Sequence, residues 1–194
     1  PPAGQAGPAA PTYLPVSKAP AHFWDTCAAS GGKSILAHDL YPGMSLTVSD
    51  IRESILHNLR VRFRAAGIEK YQAFRIDLAV QPPPKQSAGA DLVLADVPCT
   101  GSGTWSRTPE QLYFFRPEKI LQYSQLQKKI IRNIVQHLAA DASLVYSTCS
   151  VFKKENEEMV AFIRDELGLH CQRASPIEGY RRRADTLFAA RFAR

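Results

Sequence analysis

No two cysteines in this 194-residue chain stand at C-x-x-C spacing, although it has four, Cys27, Cys99, Cys149 and Cys171. A zinc site built on such pairs is therefore not expected, and no metal is assigned. Nor do four thiols in a chain that is 45% hydrophobic read as a disulfide framework, which serves small domains without an adequate core. The thiols read as reduced and the protein as cytoplasmic. No apolar stretch approaches the roughly 20 residues that span a bilayer, so no membrane partner is expected. No secretory leader is expected either: residues 1–20 are rich in Pro, Ala and Gly, with no basic start and no apolar segment. It also lacks an initiator Met, which suggests a fragment or a processed chain.

What the chain does have is positive charge, +6 overall, which favours anionic partners such as nucleic acid. Arg52, Arg60, Arg62 and Arg64 share one short helical stretch, and Arg181, Arg182 and Arg183 form a run near the end. Both are candidate phosphate contacts, and for any single Arg a solvated basic face is the safer reading.

Residues 1–20 are low-complexity and proline-rich and read as a linker or remnant; residues 21–194 read as one domain. Within it, apolar strand patterns alternate with helical ones. Strands are expected at 21–24, 45–49, 71–76, 92–95 and 143–146. Helices are expected at 33–40, at 51–66 with Ile51, Ile55, Leu59 and Phe63 on one face, at 118–139, and at 154–167. Between 100 and 117 lies a long loop carrying Trp105, Tyr113, Phe114 and Phe115. Two closing strands, near 169–172 and 186–192, read as an antiparallel edge. The alternation predicts an α/β fold, a doubly wound, mostly parallel sheet with helices on both faces.

The chemistry-bearing residues fall at the ends of those strands, where open α/β sheets bind ligands. The first strand runs into Asp25-Thr26-Cys27-Ala28-Ala29-Ser30-Gly31-Gly32-Lys33 and then a helix. Small residues let the backbone approach a ligand, and the helix start favours negative charge, so a nucleotide-like cofactor is expected. Gly32-Lys33-Ser34 resembles the end of a P-loop, but the first Gly of that motif would stand where Cys27 is. Asp50 closes the second strand at the distance of a ribose ligand, and Asp77 closes the third within reach of an adenine amino group. Asp96-Val97-Pro98-Cys99 follows the fourth strand, and Tyr146-Ser147-Thr148-Cys149-Ser150 ends the fifth. A lone Cys is usually a small buried hydrophobe. That account suits Cys171 and partly Cys27, whereas Cys99 and Cys149 at strand ends point to covalent chemistry.

Together these three strings, with Glu155-Asn156-Glu157 after the last, resemble the RNA cytosine-C5 methyltransferases of the Sun/Fmu/RsmB and NSUN type. The likeness runs from about Phe23 to the C-terminus. It implies a Rossmann-like fold dependent on S-adenosylmethionine and an RNA substrate, ribosomal RNA by analogy, with the target cytosine unpaired or flipped out. It implies Cys149 as the nucleophile, Asp96 assisting at N3 from a secluded, protonated state, Cys99 assisting release, and Lys33 positioning the base. The loop Cys27, Ala28, Ala29, Ser30, Gly31, Gly32 and Lys33 would hold the cofactor together with Asp50, Asp77 and Asp96. The family usually has Pro at Ser30, which leaves the loop less rigid here, and Ala at Val97, which adds a branched side chain near the substrate. Its Asp-Gly-Phe-Phe reads Asp185-Thr186-Leu187-Phe188. Family members also carry an upstream RNA-binding domain, which this chain is expected to lack. Two rivals remain. One is a DNA cytosine-C5 methyltransferase attacking through Cys99; the other is a non-catalytic RNA-binding or ribosome-assembly factor on the same fold.

Overall fold

The computed structural model describes residues 19–180 and 183–194. Most of the proline-rich 1–20 segment, with Arg181 and Arg182, therefore lies outside the described residues. The strands are β1 His22–Asp25, β2 Ser45–Asp50, β3 Gln72–Arg75, β4 Leu92–Asp96, β5 Ser143–Thr148, β6 His170–Ile177 and β7 Leu187–Ala193. The helices are α1 Gly32–Leu40, α2 Glu53–Ala65, the one-turn α3 Glu110–Tyr113, α4 Glu118–Gln136 and the short α5 Glu157–Ala161.

The strands form one seven-stranded sheet in the order β3-β2-β1-β4-β5-β7-β6. The first five run parallel, and β7 runs antiparallel to both β5 and β6. The expected doubly wound sheet with an antiparallel edge is thus what the chain forms. The order reverses at β1, which lies between β2 and β4, and such a switch point opens a crevice at the carboxyl ends of the strands. Among the described residues no helix is long and apolar enough to cross a membrane.

Strand alternation distributes the core to both faces. Phe23, Leu46 and Val48 join Leu56, Leu59 and Phe63 of α2 on one face. Trp24, Val93, Leu144 and Tyr146 join Ile131 and Ile134 of α4 and Met159 of α5 on the other. Leu56, Leu59 and Phe63 are completely buried, each contributing about 1.5–3 kcal/mol.

Several boundaries differ from the sequence reading, for physical reasons. Ile51 precedes α2 and is 52% exposed, and Leu56 takes its place on the buried face. α4 ends at Gln136, and Leu121 on it is exposed. The expected continuous helix over 154–167 is broken into a 3-10 turn at Lys153–Glu155, then α5, then a wide π turn at Phe162–Glu166. The break falls at Asn156 (φ −121°, ψ −91°). Its amide is engaged elsewhere, donating to the Ser150 carbonyl at 2.8 Å and accepting from the Thr148 hydroxyl at 2.6 Å. The 100–117 loop holds a 3-10 turn, Ser102–Thr104, besides α3.

Candidate active site

The first wall is the turn from β1 into α1. Its backbone is pinned to the neighbouring strand ends: Thr26 N–H donates to the Leu94 carbonyl at 2.9 Å and Ala28 N–H to the Ser49 carbonyl at 2.8 Å. Gly31 precedes α1 at φ +80°, and a Cβ there would come within 2.5 Å of the Phe63 ring. Only glycine allows both that conformation and that close packing of α1 on α2. Ser30 is not left loose. Arg62 of α2 donates to its carbonyl at 2.9 Å and its hydroxyl at 2.6 Å, tying the turn where the family's proline would stiffen it. Beneath the turn Asp25 is fully buried and accepts from the Ser34 hydroxyl of α1 at 2.6 Å; among the described residues its other oxygen makes no hydrogen bond of standard geometry, and the Cys27 backbone N–H lies near the carboxyl.

Past the strand ends lies a cleft of about 420 Å³, the size of a small-molecule or cofactor site. Of the residues expected to bind a cofactor, Cys27, Ala29, Asp50, Asp77 and Asp96 line it. Ala28 is buried instead, Ser30 faces Arg62, Gly31 packs on α2, and Lys33 turns to Asp96. Gly32, which begins α1, is likewise not part of the lining. Asp50 is 5% exposed, with its oxygens already accepting from Ala29 N–H at 3.0 Å and from the backbone and guanidinium of Arg52. The Arg52 side chain is 57% exposed, so a ligand hydroxyl would displace it without breaking the core. Arg52, Arg60 and Arg62 are therefore engaged within the protein, Arg60 pairing with Glu53 at 2.8 Å. Arg64 and Arg183 are exposed.

The sequence reading missed the apolar lining. Ile51, Ile76 and Leu78 flank the strand-end acids, and Leu126 and Ile130 close the cleft from α4. An apolar residue directly beside each strand-end Asp was the available signal. Val97 corrects an expectation: it is 3% exposed and packs in the core, not beside a substrate.

The two thiols meet at the far side of the cleft. Cys99 Sγ and Cys149 Sγ are 3.3 Å apart, and both residues are half-buried. The contact to Cys149 is the main cause pushing the Cys99 thiol far up, aided by burial. The same contact lowers Cys149 below the ordinary 9.0, against burial and the nearby Asp96, with Lys33 helping. The contact favours charge on Cys149 over Cys99. Cys27 is different: burial lifts it to about 12, which makes it an inert lining thiol.

Asp96 lies beside this pair. Its carboxylate, 27% exposed, accepts from the Lys33 ammonium at 2.5 Å. Burial lowers Lys33, but the charge of Asp96 and this hydrogen bond outweigh it and hold the amine protonated. The acid expected in a secluded site at this position is half of an ion pair with Lys33. The loops carrying the thiols are joined directly: Gly103 N–H donates to the Cys149 carbonyl at 2.8 Å. A Cβ on Gly103 would stand 2.0 Å from the Thr186 carbonyl and 3.0 Å from that of Cys149, so the close approach requires glycine. Asp185 takes the Arg107 guanidinium at 2.8 Å and 3.2 Å.

The sheet, its switch-point cleft and the strand-end acids define a Rossmann-like fold of the methyltransferase class. The chain superposes on PH0851 with a TM-score of 0.82 at 25% identity, covering 89% of this chain and 42% of that one. It also superposes on NSun6 from Pyrococcus horikoshii, solved with SFG, with a TM-score of 0.77 at 22% identity, covering 88% and 47%. More particularly, residues 15–175 match the family model for 16S rRNA methyltransferase RsmB/F, and the chain belongs to that family. The ribosomal RNA small subunit methyltransferase B of Shigella sonnei is 31% identical over 74% of this chain and 33% of its own length. Its namesake in Enterobacter sp. (strain 638) is 29% identical over 72% and 32%. The chain spans about a third of the length of these curated relatives.

Proposed function

We propose that this chain methylates carbon 5 of an unpaired cytosine in RNA, ribosomal RNA by its family, with S-adenosylmethionine as methyl donor. The observation that carries the reading is the thiol pair, 3.3 Å apart and shifted in opposite directions beside an ion-paired acid. The cleft fits such a cofactor: it has the volume, apolar walls at Ile76 and Leu78, and acids at Asp50 and Asp77 for hydroxyl and amino groups. When bound, the cofactor supplies the methyl group that carbon 5 takes.

The chain's own residues do the rest. Carbon 5 of cytosine is a weak nucleophile. The Cys149 thiolate adds to carbon 6, forming a C–S bond and pushing an electron pair toward carbon 5 and the N3 side of the ring. The Lys33 ammonium donates to Asp96 at 2.5 Å, and this pair stabilises charge developing at N3. After carbon 5 is methylated its proton must leave, and the electrons of that C–H bond then expel Cys149 as thiolate. Cys99 suits this stage. Once Cys149 is a neutral thioether, the contact that most raises Cys99 is gone, and Cys99 ionises more readily when a base is needed. The direction of its shift in the free protein weighs against Cys99 as the attacking group, as a DNA-type mechanism would require. Retention of both thiols and the Lys33–Asp96 pair supports an enzyme over a binding module. Further RNA contacts are read as lying in the part of those relatives that the chain does not match.

The test is to incubate the chain with RNA and methyl-labelled S-adenosylmethionine and identify the modified nucleoside by mass spectrometry. The reading expects 5-methylcytidine. Label on another atom, or cofactor binding with no transfer to any RNA, would sink it.

The aromatic loop separates into two roles. Trp105 packs against Phe115 and Phe152, centroids 4.9 Å and 6.1 Å away, while Phe115 stacks on Phe152 at 5.5 Å. That cluster is structural, and its Phe152 lies three residues beyond Cys149 in sequence. Tyr113 and Phe114 beside it are 80% and 61% exposed, free to stack on bases flanking the target. Replacing both with alanine is expected to raise the KM for RNA about tenfold while leaving cofactor affinity unchanged. An unchanged KM would remove them from the RNA surface.

A further inference from the structure

Beneath the two thiols lies an acid that the mechanism above does not use. Glu155 is completely buried. One of its carboxylate oxygens accepts from Thr100 N–H at 2.9 Å and Gln127 Nε2 at 3.1 Å. The other accepts from the Thr100 hydroxyl at 2.5 Å and the Ser150 hydroxyl at 2.6 Å. These contacts fill the acceptor sites of a carboxylate with neutral donors. Gln127, also completely buried, donates as well to the Pro98 carbonyl at 3.0 Å, and its own oxygen accepts from Tyr146 at 3.1 Å.

The chain positions of these partners are what matter. Pro98 and Thr100 bracket Cys99, and Ser150 directly follows Cys149. A single side chain thus gathers the residues adjoining both thiols, and Gln127 anchors it to α4. An apolar side chain could fill the same space, and burying a carboxylate among neutral groups is costly. What the carboxylate adds is convergence, since it draws donors from two separate loops to one point. The break at Asn156 that delivers Glu155 to this position serves the same arrangement.

We infer that Glu155, supported by Gln127, is a positioning residue that sets the Cys99 and Cys149 thiols in contact and so prepares Cys149 to react. This deepens the reading of Cys149 as nucleophile. Its test needs neither RNA nor methyl transfer, so the two readings fail separately.

The charged and titratable groups acting on Cys149 among the described residues are Cys99, Asp96 at the end of β4, Lys33 on α1 and, more remotely, Arg107, itself paired with Asp185. The experiment measures Cys149 alkylation by iodoacetamide, followed by peptide mass spectrometry, from about pH 5.5 to about pH 9.5. It compares wild type, Glu155→Gln, Cys99→Ala and the double variant, with thermal unfolding of each. Glu155→Gln turns an amide toward two of the donors. Its Cys149 midpoint is expected to move upward toward that of Cys99→Ala, with alkylation about tenfold slower at neutral pH. In the double variant the profile should match Cys99→Ala alone, because the effect passes through the thiol contact. Thr100→Val, which removes one donor and keeps the shape, should shift the midpoint the same way by less, and it stands in if Glu155→Gln does not fold. A lowered melting temperature with an unchanged Cys149 profile would make the network merely structural and overturn the inference. A further shift from Glu155→Gln on top of Cys99→Ala would overturn it as well.

Discussion

Replacing Cys149 with alanine is expected to abolish the denaturation-resistant adduct on RNA containing 5-fluorocytidine and to cut methyl transfer by about 10³-fold or more. Fluorine at carbon 5 cannot leave as a proton does, so the reaction stalls with the nucleophile still attached, and the adduct reports which thiol attacks. The geometry argues for Cys149 on two counts. The Cys99 contact favours its thiolate form, and it lies beside the Lys33–Asp96 pair that would meet the ring at N3. Cys99→Ala is expected to behave differently. It loses the donor that favours the Cys149 thiolate, so attack slows. The adduct still forms, and with unmodified RNA it persists because release is impaired. Capture that survives Cys149→Ala and disappears only in Cys99→Ala would reverse the assignment and restore the DNA-type mechanism.

Much of this site was legible in the sequence because its parts are local strings at strand ends. A run such as Leu92-Val93-Leu94-Ala95 before Asp96 marks both a buried strand and where it stops. Parallel strands then bring Asp25, Asp50 and Asp96 to one edge without further information. The two cysteines followed from the same logic, since β4 and β5 are neighbours in register, Asp96 opposite Ser147. What escaped were interactions set by packing between distant segments. Gln127 reads as one of the polar residues of an amphipathic helix, and nothing local shows that α4 turns it inward toward Glu155. The helix over 154–167 looked continuous because its apolar spacing runs through the break, while the cause of the break is Asn156 bonding backward to Ser150. The tie between Arg62 and Ser30 spans 32 residues, so an Arg that in sequence is a candidate phosphate contact, or more safely a solvated one, stiffens the β1–α1 turn in the fold. Val97 shows the same limit in reverse. One residue past a strand end, alternation alone does not tell whether a side chain faces cleft or core.

Asp25→Asn is expected to change how stability depends on pH more than any other single substitution in the cofactor turn. Asp25 is 1% exposed, and burial raises its carboxyl from 3.8 to about 7, against the Ser34 hydrogen bond, with Asp96 raising it further and Lys33 and the Cys27 backbone N–H lowering it. In the unfolded chain the group ionises near its ordinary value, while the folded protein keeps the proton until about pH 7. Between those limits unfolding releases a proton, so stability from this group is greatest in acid and falls as pH rises. Above about pH 7 the fold carries a buried carboxylate, and the loss levels off at roughly 4 kcal/mol. Asparagine cannot ionise. At low pH it is expected to lie within about 1 kcal/mol of wild type, because the protonated acid and the amide each bury a donor without an acceptor. At about pH 8 the asparagine variant is expected to be the more stable, since the wild type then holds its buried charge. Urea unfolding of both proteins at about pH 4.5 and about pH 8 checks this, because groups shared by the two cancel in the difference. A difference that stays constant between the two pH values would show that Asp25 is ionised in the fold throughout. What this acid contributes is the link to Ser34 that seats α1 under the cofactor turn, and its pH dependence measures what that link costs the fold.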